Sequence, residues 1–159
     1  MHRLPLFCAA AMACLLGGAT LCVPVQAAEE HYYTLIAADK TSATFAEDSA
    51  RRFRDGTIRL SVLRVFDGGA IAYSNTQMML TCATSKAQTL EGMTYSRDGK
   101  KIPTAAEAEA TVIKPETLGM VLKRYICEGI DPYPRSKTFK SLSDALDRAP
   151  ELIAVEKAR

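Results

Sequence analysis

Residues of the types that catalysis uses are few in this chain, and their positions do not favour catalysis. His31 is the one histidine beyond the first two residues, and a general base needs a fixed geometry that chain ends rarely provide. Glu107 and Glu109 lie in an alanine-rich stretch, and we expect carboxylates in such a segment to be solvated rather than paired for glycosidase chemistry. Gly-x-Ser-x-Gly, phosphate-loop, His-Glu-x-x-His and dinucleotide signatures do not occur. The sequence therefore predicts a protein that is not an enzyme and that uses no cofactor.

The five cysteines fall into two groups. Cys8, Cys14 and Cys22 lie within the first 27 residues, whereas Cys82 and Cys127 lie in the rest of the chain. In an oxidising compartment Cys82 and Cys127 would form one disulfide, which closes a loop of about 45 residues and stabilises the fold by roughly 4 kcal/mol. The alternative is a pair of buried free thiols. Two cysteines and one histidine are too few for a zinc site.

Residues 1–27 have the layout of a secretory signal peptide. His2 and Arg3 form a basic start before an apolar span over residues 4–23, and Val25-Gln26-Ala27 is a small-residue cleavage site. The pattern predicts export to the periplasm or the cell surface, with no transmembrane segment left after cleavage. Because the span approaches the ~20 residues that cross a bilayer, an uncleaved membrane anchor is the alternative.

Length and charge restrict the remaining chain further. About 132 residues are enough for one domain with its own core. Basic and acidic residues almost balance after removal of the signal, to a net charge of about +1. With no basic stripe along the chain, no nucleic-acid partner is predicted.

Two clusters of basic residues are candidate binding sites for a partner. Their members are Arg51, Arg52 and Arg54, which surround Phe53, and Arg135, Lys137 and Lys140, which lie near Tyr133 and Phe139. Such clusters can meet lipid headgroups, a polysaccharide or an acidic protein surface. The alternative is that both clusters are solvated loops.

The first two-thirds of the chain has the pattern of β-strands. Six extended segments are predicted, at residues 31–38, 42–46, 57–66, 70–82, 89–97 and 100–102. Turn signals at Asp55-Gly56 and Asp98-Gly99 separate neighbouring segments, which favours an antiparallel meander. At Leu63 the apolar alternation changes parity, which indicates either a β-bulge or a strand that is covered on both faces.

Helical periodicity follows in the last third. Residues 115–129 carry one apolar stripe, formed by Leu118, Val121, Leu122, Tyr125 and Ile126. Pro115 suits the first turn of this helix and Gly129 its end. Cys127 falls roughly opposite the stripe, so either the last turn unwinds or a disulfide reaches the sheet from the helix edge. A second helical stretch begins at about Ser141, and Pro150 should split it into two short pieces.

The order of these elements resembles the surface-adhesin protein E family of small exported bacterial proteins, over residues 33–127. The matching features are Tyr33, Asp48-Ser49, Arg51-Arg52, Gly56, Cys82, Tyr95 to Gly99, the Ile113, Pro115 and Thr117 step, and Leu122 to Cys127. The resemblance implies an α+β fold: an antiparallel sheet of about six strands, with a helix tied to it by a Cys82–Cys127 disulfide. It divides the chain into a signal peptide (1–27), an adhesin-E-like domain (28–129) and a partly helical extension (130–159).

Taken together, these features predict an exported, non-enzymatic protein of the cell envelope. Its module would bind a macromolecular partner, as an adhesin or a periplasmic interaction protein, and a homodimer is compatible with that role. The alternative is an inhibitor of an exported enzyme such as lysozyme, since small disulfide-bridged β-proteins often act in that way. That analogy is one of fold alone.

Overall fold

The computed structural model describes residues 31–133 and 138–159, which form an α+β fold. The strands are β1 (Tyr33–Ala38), β2 (Ser42–Glu47), β3 (Arg51–Arg52), β4 (Thr57–Phe66), β5 (Ile71–Thr81), β6 (Lys86–Ser96), β7 (Lys101–Thr104), β8 (Thr111–Val112) and β9 (Thr138–Phe139), and the helices are α1 (Leu118–Glu128) and α2 (Leu142–Lys157).

The strands form one antiparallel sheet, which confirms the predicted sheet type. Its main path runs β7-β6-β5-β4-β2-β1-β9, while β3 pairs with β4 and β8 pairs with β6. The predicted number of about six strands is wrong, since the described residues contain nine. The three missed strands, β3, β8 and β9, have two residues each, which is too short to show any periodicity.

Two apolar clusters lie on opposite faces of the sheet, one beneath each helix. Cluster 1, beneath α2, contains Tyr33, Leu35, Ala43, Phe45, Leu63, Val65, Phe139, Ala145, Ala149, Leu152 and Ile153. Cluster 2, beneath α1, contains Ile36, Ala46, Leu60, Val62, Leu80, Ala87, Ile113 and Leu122. Because successive side chains of a strand point to opposite faces, the neighbours Val62 and Leu63 enter different clusters.

The parity change at Leu63 therefore marks a strand that is covered on both faces. The alternative of a β-bulge at this position is wrong, because β4 pairs with β5 without interruption from Thr57 to Val65. The irregularities lie elsewhere, between Leu35 and Ala37 in β1 and at two points between β5 and β6.

Helix α1 begins later than expected and ends where expected. Glu116 has a φ of 60°, a left-handed conformation that a helix cannot include, so Pro115 lies outside the helix and Thr117 occupies the N-cap. Gly129 ends the helix with a φ of 68°, the conformation that glycine adopts at least cost. The last turn stays helical through Cys127, so the disulfide approaches from the helix edge.

The disulfide joins Cys82, directly after β5, to Cys127 in the last turn of α1. The two Cα atoms are 5.8 Å apart, within the range usual for disulfides. The bond ties α1 to the end of the sheet where β4 begins and β5 ends, and it confirms the predicted pairing.

Helix α2 is continuous from Leu142 to Lys157, so the expectation that Pro150 divides it is wrong. A proline inside a helix removes one backbone hydrogen bond. Fully buried residues lie on both sides of it, with Ala149 at 0% exposure and Ile153 at 1%. Their packing against the sheet keeps the helix continuous in spite of the missing hydrogen bond. Both β9 and α2, which lie in the segment 130–159, thus pair or pack with the sheet.

Strands β5, β6 and β7 are less buried than β1, β2 and β4, and Leu80 and Ala87 are their buried residues. Both belong to cluster 2, beneath α1, and most other residues of β5 and β6 are half-buried. Within the described residues, neither helix is long and apolar enough to span a membrane.

Candidate anion-binding site

Most of the described residues that the sequence predicted as candidate binding sites lie at one end of the sheet. Strand β1 begins there, β2 ends there, and β3 pairs with the first residues of β4. The pairing sets Arg51 directly opposite Arg59, and Arg52 directly opposite Ile58. Because neighbours in a strand point to opposite faces, Arg51 and Arg52 serve different surfaces.

The two arginines line two separate pockets. The Arg51 pocket has a volume of about 330 Å³ and is lined by His31, Glu47, Ser49, Arg51, Phe53, Arg59, Leu60, Ser61 and Gln77. The Arg52 pocket, of about 360 Å³, is lined by Glu47, Asp48, Ala50, Arg52, Ile58, Tyr125 and Ile126. The first contains more cationic and hydroxyl groups, whereas the second is closed on one side by α1.

In the Arg51 pocket, neighbouring strands hold the Arg59 guanidinium in place. Its Nε donates to Gln77 Oε1 over 2.7 Å, and its Nη2 donates to Glu91 Oε1 over 3.0 Å and also to Gln77. Arg51 is exposed, and among residues 31–133 and 138–159 no carboxylate pairs with it. The pocket thus contains one positioned guanidinium and one that is available to a ligand.

A histidine–glutamate pair also lines the Arg51 pocket. His31 Nδ1 lies 2.6 Å from Glu47 Oε1, and the Glu47 side chain is only 10% exposed. The carboxylate has a further effect on its cross-strand neighbour Tyr33: burial first, and then the charge of Glu47, raise the pKa of that phenol. His31 lies two residues before the start of β1 and lines the pocket.

Phe53, which also lines the pocket, lies in a tight hairpin. The Phe53 N–H donates to Thr57 O over 2.8 Å, and the Gly56 N–H donates to Phe53 O over 3.1 Å. Asp55 accepts hydrogen bonds from the hydroxyl and the N–H of Thr57, which lower the pKa of its carboxyl. The hairpin holds the Phe53 ring 47% exposed and leaves Arg54 exposed at the turn.

The fold thus divides the first basic cluster. Arg51 and Arg52 line different pockets, and Arg54 lies exposed at the turn. Of the second cluster, Arg135 and Lys137 lie outside the described residues. Lys140 is exposed, and its backbone N–H donates to Asp144 Oδ2 at the start of α2.

The pocket contains groups that can bind a ligand, among them Ser49, Ser61 and the two arginines. Groups of three or more metal-ligating side chains are absent from the described part of the chain. Glu107, a weak catalytic candidate from the sequence, accepts a hydrogen bond from the Thr89 N–H over 2.9 Å and so supports the loop after β7.

Sequence reasoning found Arg51 but missed most of the pocket. Glu47, Arg59 and Gln77 come from three strands, and only their pairing reveals that they meet. One feature of the sequence could have placed His31 in the site. His31, Tyr33 and Leu35 alternate at i, i+2 and i+4, so they point to the same face of the sheet, the face of cluster 1.

No family model, curated protein or solved structure matches this chain. The resemblance to the surface-adhesin protein E family therefore has no support from these comparisons.

Proposed function

We propose that this protein is an exported, non-enzymatic binding protein that uses the Arg51 pocket to hold an anionic group of a macromolecular partner. The observation that carries this proposal is the pairing of Arg51 with Arg59. Like charges directly opposite each other on one sheet face destabilise a sheet. Glu91 already pairs with Arg59, so Arg51 is the cation whose negative partner a ligand would supply.

The geometry suits a carboxylate or a similar anion. Guanidinium groups form paired, charge-assisted hydrogen bonds with such ligands. Arg59 is already oriented by Gln77 and Glu91, so less side-chain freedom is lost when the ligand binds. Ser49 and Ser61 add hydroxyl donors on the same surface.

Export rests on the sequence pattern of residues 1–27 and on the disulfide. Disulfides persist in oxidising compartments and are rare in the cytosol, so the Cys82–Cys127 bond supports export. Fractionation of expressing cells, with mass measurement of the product, tests it. We expect a product that begins near residue 28, outside the cytoplasm, while a full-length cytosolic product would contradict export.

Binding is tested with the processed protein on a panel of immobilised polyanions: an acidic polysaccharide, a glutamate-rich peptide and anionic lipid vesicles. Arg51→Glu is compared with Arg52→Glu, because both substitutions change the net charge equally and lie at adjacent positions. We expect wild-type protein to bind at least one polyanion, with affinity that falls as salt rises.

The two variants should then differ. Arg51→Glu should weaken binding at least about tenfold, as expected for loss of a charged hydrogen bond, whereas Arg52→Glu should change it less than about twofold. Equal losses would show attraction to overall charge rather than to the pocket. Absence of binding to every polyanion would contradict the proposed function.

A second candidate function is inhibition of an exported enzyme, and it is favoured by the Arg52–Ile58 hairpin. Its turn is fixed by the Phe53–Thr57 and Gly56–Phe53 backbone hydrogen bonds and leaves Arg54 exposed, as an inhibitory loop requires. Enzymes that act on the envelope, lysozyme among them, would be assayed with wild-type protein and Arg54→Ala. Inhibition that Arg54→Ala abolishes would support this role, and no inhibition would reject it.

A further inference from the structure

We propose that the anionic group in the Arg51 pocket is the carboxylate of an acidic sugar, with the sugar ring stacked on Phe53. This inference rests on the proposed function and narrows its ligand to a saccharide. It is carried by three features of the pocket: an exposed aromatic ring, a buried carboxylate and several hydroxyl and amide groups around two arginines.

Phe53 is the first of these features. A large apolar side chain that is 47% exposed loses the stabilisation that burial would give it. The hairpin fixes its position on the rim of a polar pocket, beside Arg51. The flat C–H face of a sugar ring could cover this aromatic ring, while the ring hydroxyls remain directed at the polar groups of the pocket.

Glu47 discriminates between anionic ligands. Its carboxylate lines the same pocket, so a phosphate dianion between the arginines would be repelled by a nearby negative charge. A sugar acid carries one negative charge and several hydroxyls, and a hydroxyl can donate a hydrogen bond to Glu47. A glutamate-rich peptide would offer backbone N–H donors to Glu47 but no sugar ring to stack on Phe53.

The remaining groups and the size of the pocket agree with this assignment. Ser49, Ser61 and Gln77 can both donate and accept hydrogen bonds, as ring hydroxyls do. The volume of about 330 Å³ lies at the lower end of the range for small-ligand pockets, roughly 300–1,000 Å³. One or two sugar units, rather than a long polymer segment, would occupy it.

The test is calorimetric titration of the processed protein with a hexuronic acid trisaccharide. Three comparison ligands are used: the carboxyl-reduced, neutral form of the trisaccharide, inorganic phosphate and a glutamate-rich peptide. The protein variants are Arg51→Ala, Phe53→Ala and Phe53→Tyr. Ile102→Ala is the matched control, since Ile102 is also an exposed apolar residue, at 42%, on the distant strand β7.

We expect the acidic trisaccharide to bind and its neutral form to bind at least about tenfold more weakly, as Arg51→Ala also should. Phe53→Ala should weaken binding roughly three- to tenfold, whereas Phe53→Tyr and Ile102→Ala should not. Thermal unfolding of each variant would show that the fold is intact.

The contradicting outcomes separate the inference from the proposed function. If phosphate or the peptide binds in an Arg51-dependent way and the trisaccharide does not, the sugar assignment is wrong and the anion site stands. Trisaccharide binding that Phe53→Ala leaves unchanged would also overturn the assignment. If none of these ligands binds, the sugar assignment is wrong, and the proposed function also fails if the anionic lipid vesicles of the polyanion panel do not bind.

Discussion

Arg51 and Arg59 lie directly opposite each other on the β3–β4 ladder and line the same pocket. Gln77 and Glu91 hold Arg59, while no carboxylate within the described residues pairs with Arg51. We expect the arrangement to lower stability and, under the proposed function, to bind an anion, and these two effects can be measured separately.

Replacing Arg51 should therefore not destabilise the fold. Arg51→Gln removes the repulsion from Arg59 and should leave the free energy of unfolding unchanged or raise it by about 0.2–1 kcal/mol. Urea denaturation at low salt measures the change, and Arg52→Gln is the control. A loss of more than about 1 kcal/mol would mean that Arg51 has a structural role, contrary to its assignment as a ligand-binding residue.

The disulfide should contribute strongly to stability. It closes a separation of 45 residues, for which chain entropy gives roughly 4 kcal/mol. Cys127→Ser should lower the free energy of unfolding by about that amount, and reduction of the wild-type protein should have a similar effect. Identical denaturation curves with and without reductant would remove the disulfide from this account.

Packing of α2 should also be essential to the domain. Ile153 is 1% exposed, whereas Val155, two residues further along the same helix, is 50% exposed. Ile153→Ala should cost about 2–5 kcal/mol through lost burial and a new cavity, and Val155→Ala less than about 1 kcal/mol. Equal effects of the two substitutions in thermal or urea unfolding would show that α2 does not pack as described.

Acid should weaken the turn between β1 and β2. Burial by itself would raise the pKa of Asp39, but hydrogen bonds from Thr41 and Ser42 outweigh it and lower the pKa to about 2. A carboxyl with a depressed folded-state pKa stabilises the fold above its unfolded value of about 3.9. That contribution is lost as the pH falls from about 4 to about 2.

Asp39→Asn tests this directly. The variant should be less stable than wild type at neutral pH, and its stability should change less with pH across the window from about 4 to about 2. Urea midpoints at several pH values give both quantities. Parallel pH profiles for the two proteins would show that another carboxyl controls the acid sensitivity.

The sequence predicted the elements that have long, regular patterns and missed those that depend on pairing. Period-two alternation identified the long strands, and Gly129 marked the end of α1. Strands of two residues, such as β3, have no period, and the continuity of α2 through Pro150 depends on packing by residues on both sides of it.

The pocket shows the same division. Arg51 was visible as part of a basic cluster, but nothing in the sequence separated it from Arg52, one residue away. Only the alternation of side chains along β3, fixed by the pairing with Arg59 and Ile58, directs the two arginines to different pockets. Glu47 and Gln77 reach the pocket only because of the register in which their strands pair with the neighbouring strands.

The central claim is that the Arg51 pocket binds an anionic ligand, and NMR titration tests it most directly. The hexuronic acid trisaccharide and the glutamate-rich peptide would be added to isotopically labelled, processed protein, with the Nε–H signals of Arg51 and Arg59 followed. We expect these signals, and the backbone signals of Ser49 and Ser61, to shift and saturate with at least one ligand, and Arg51→Glu to abolish the saturation. Shifts centred on Arg54 or Lys140, or no saturable shifts at all, would contradict the claim.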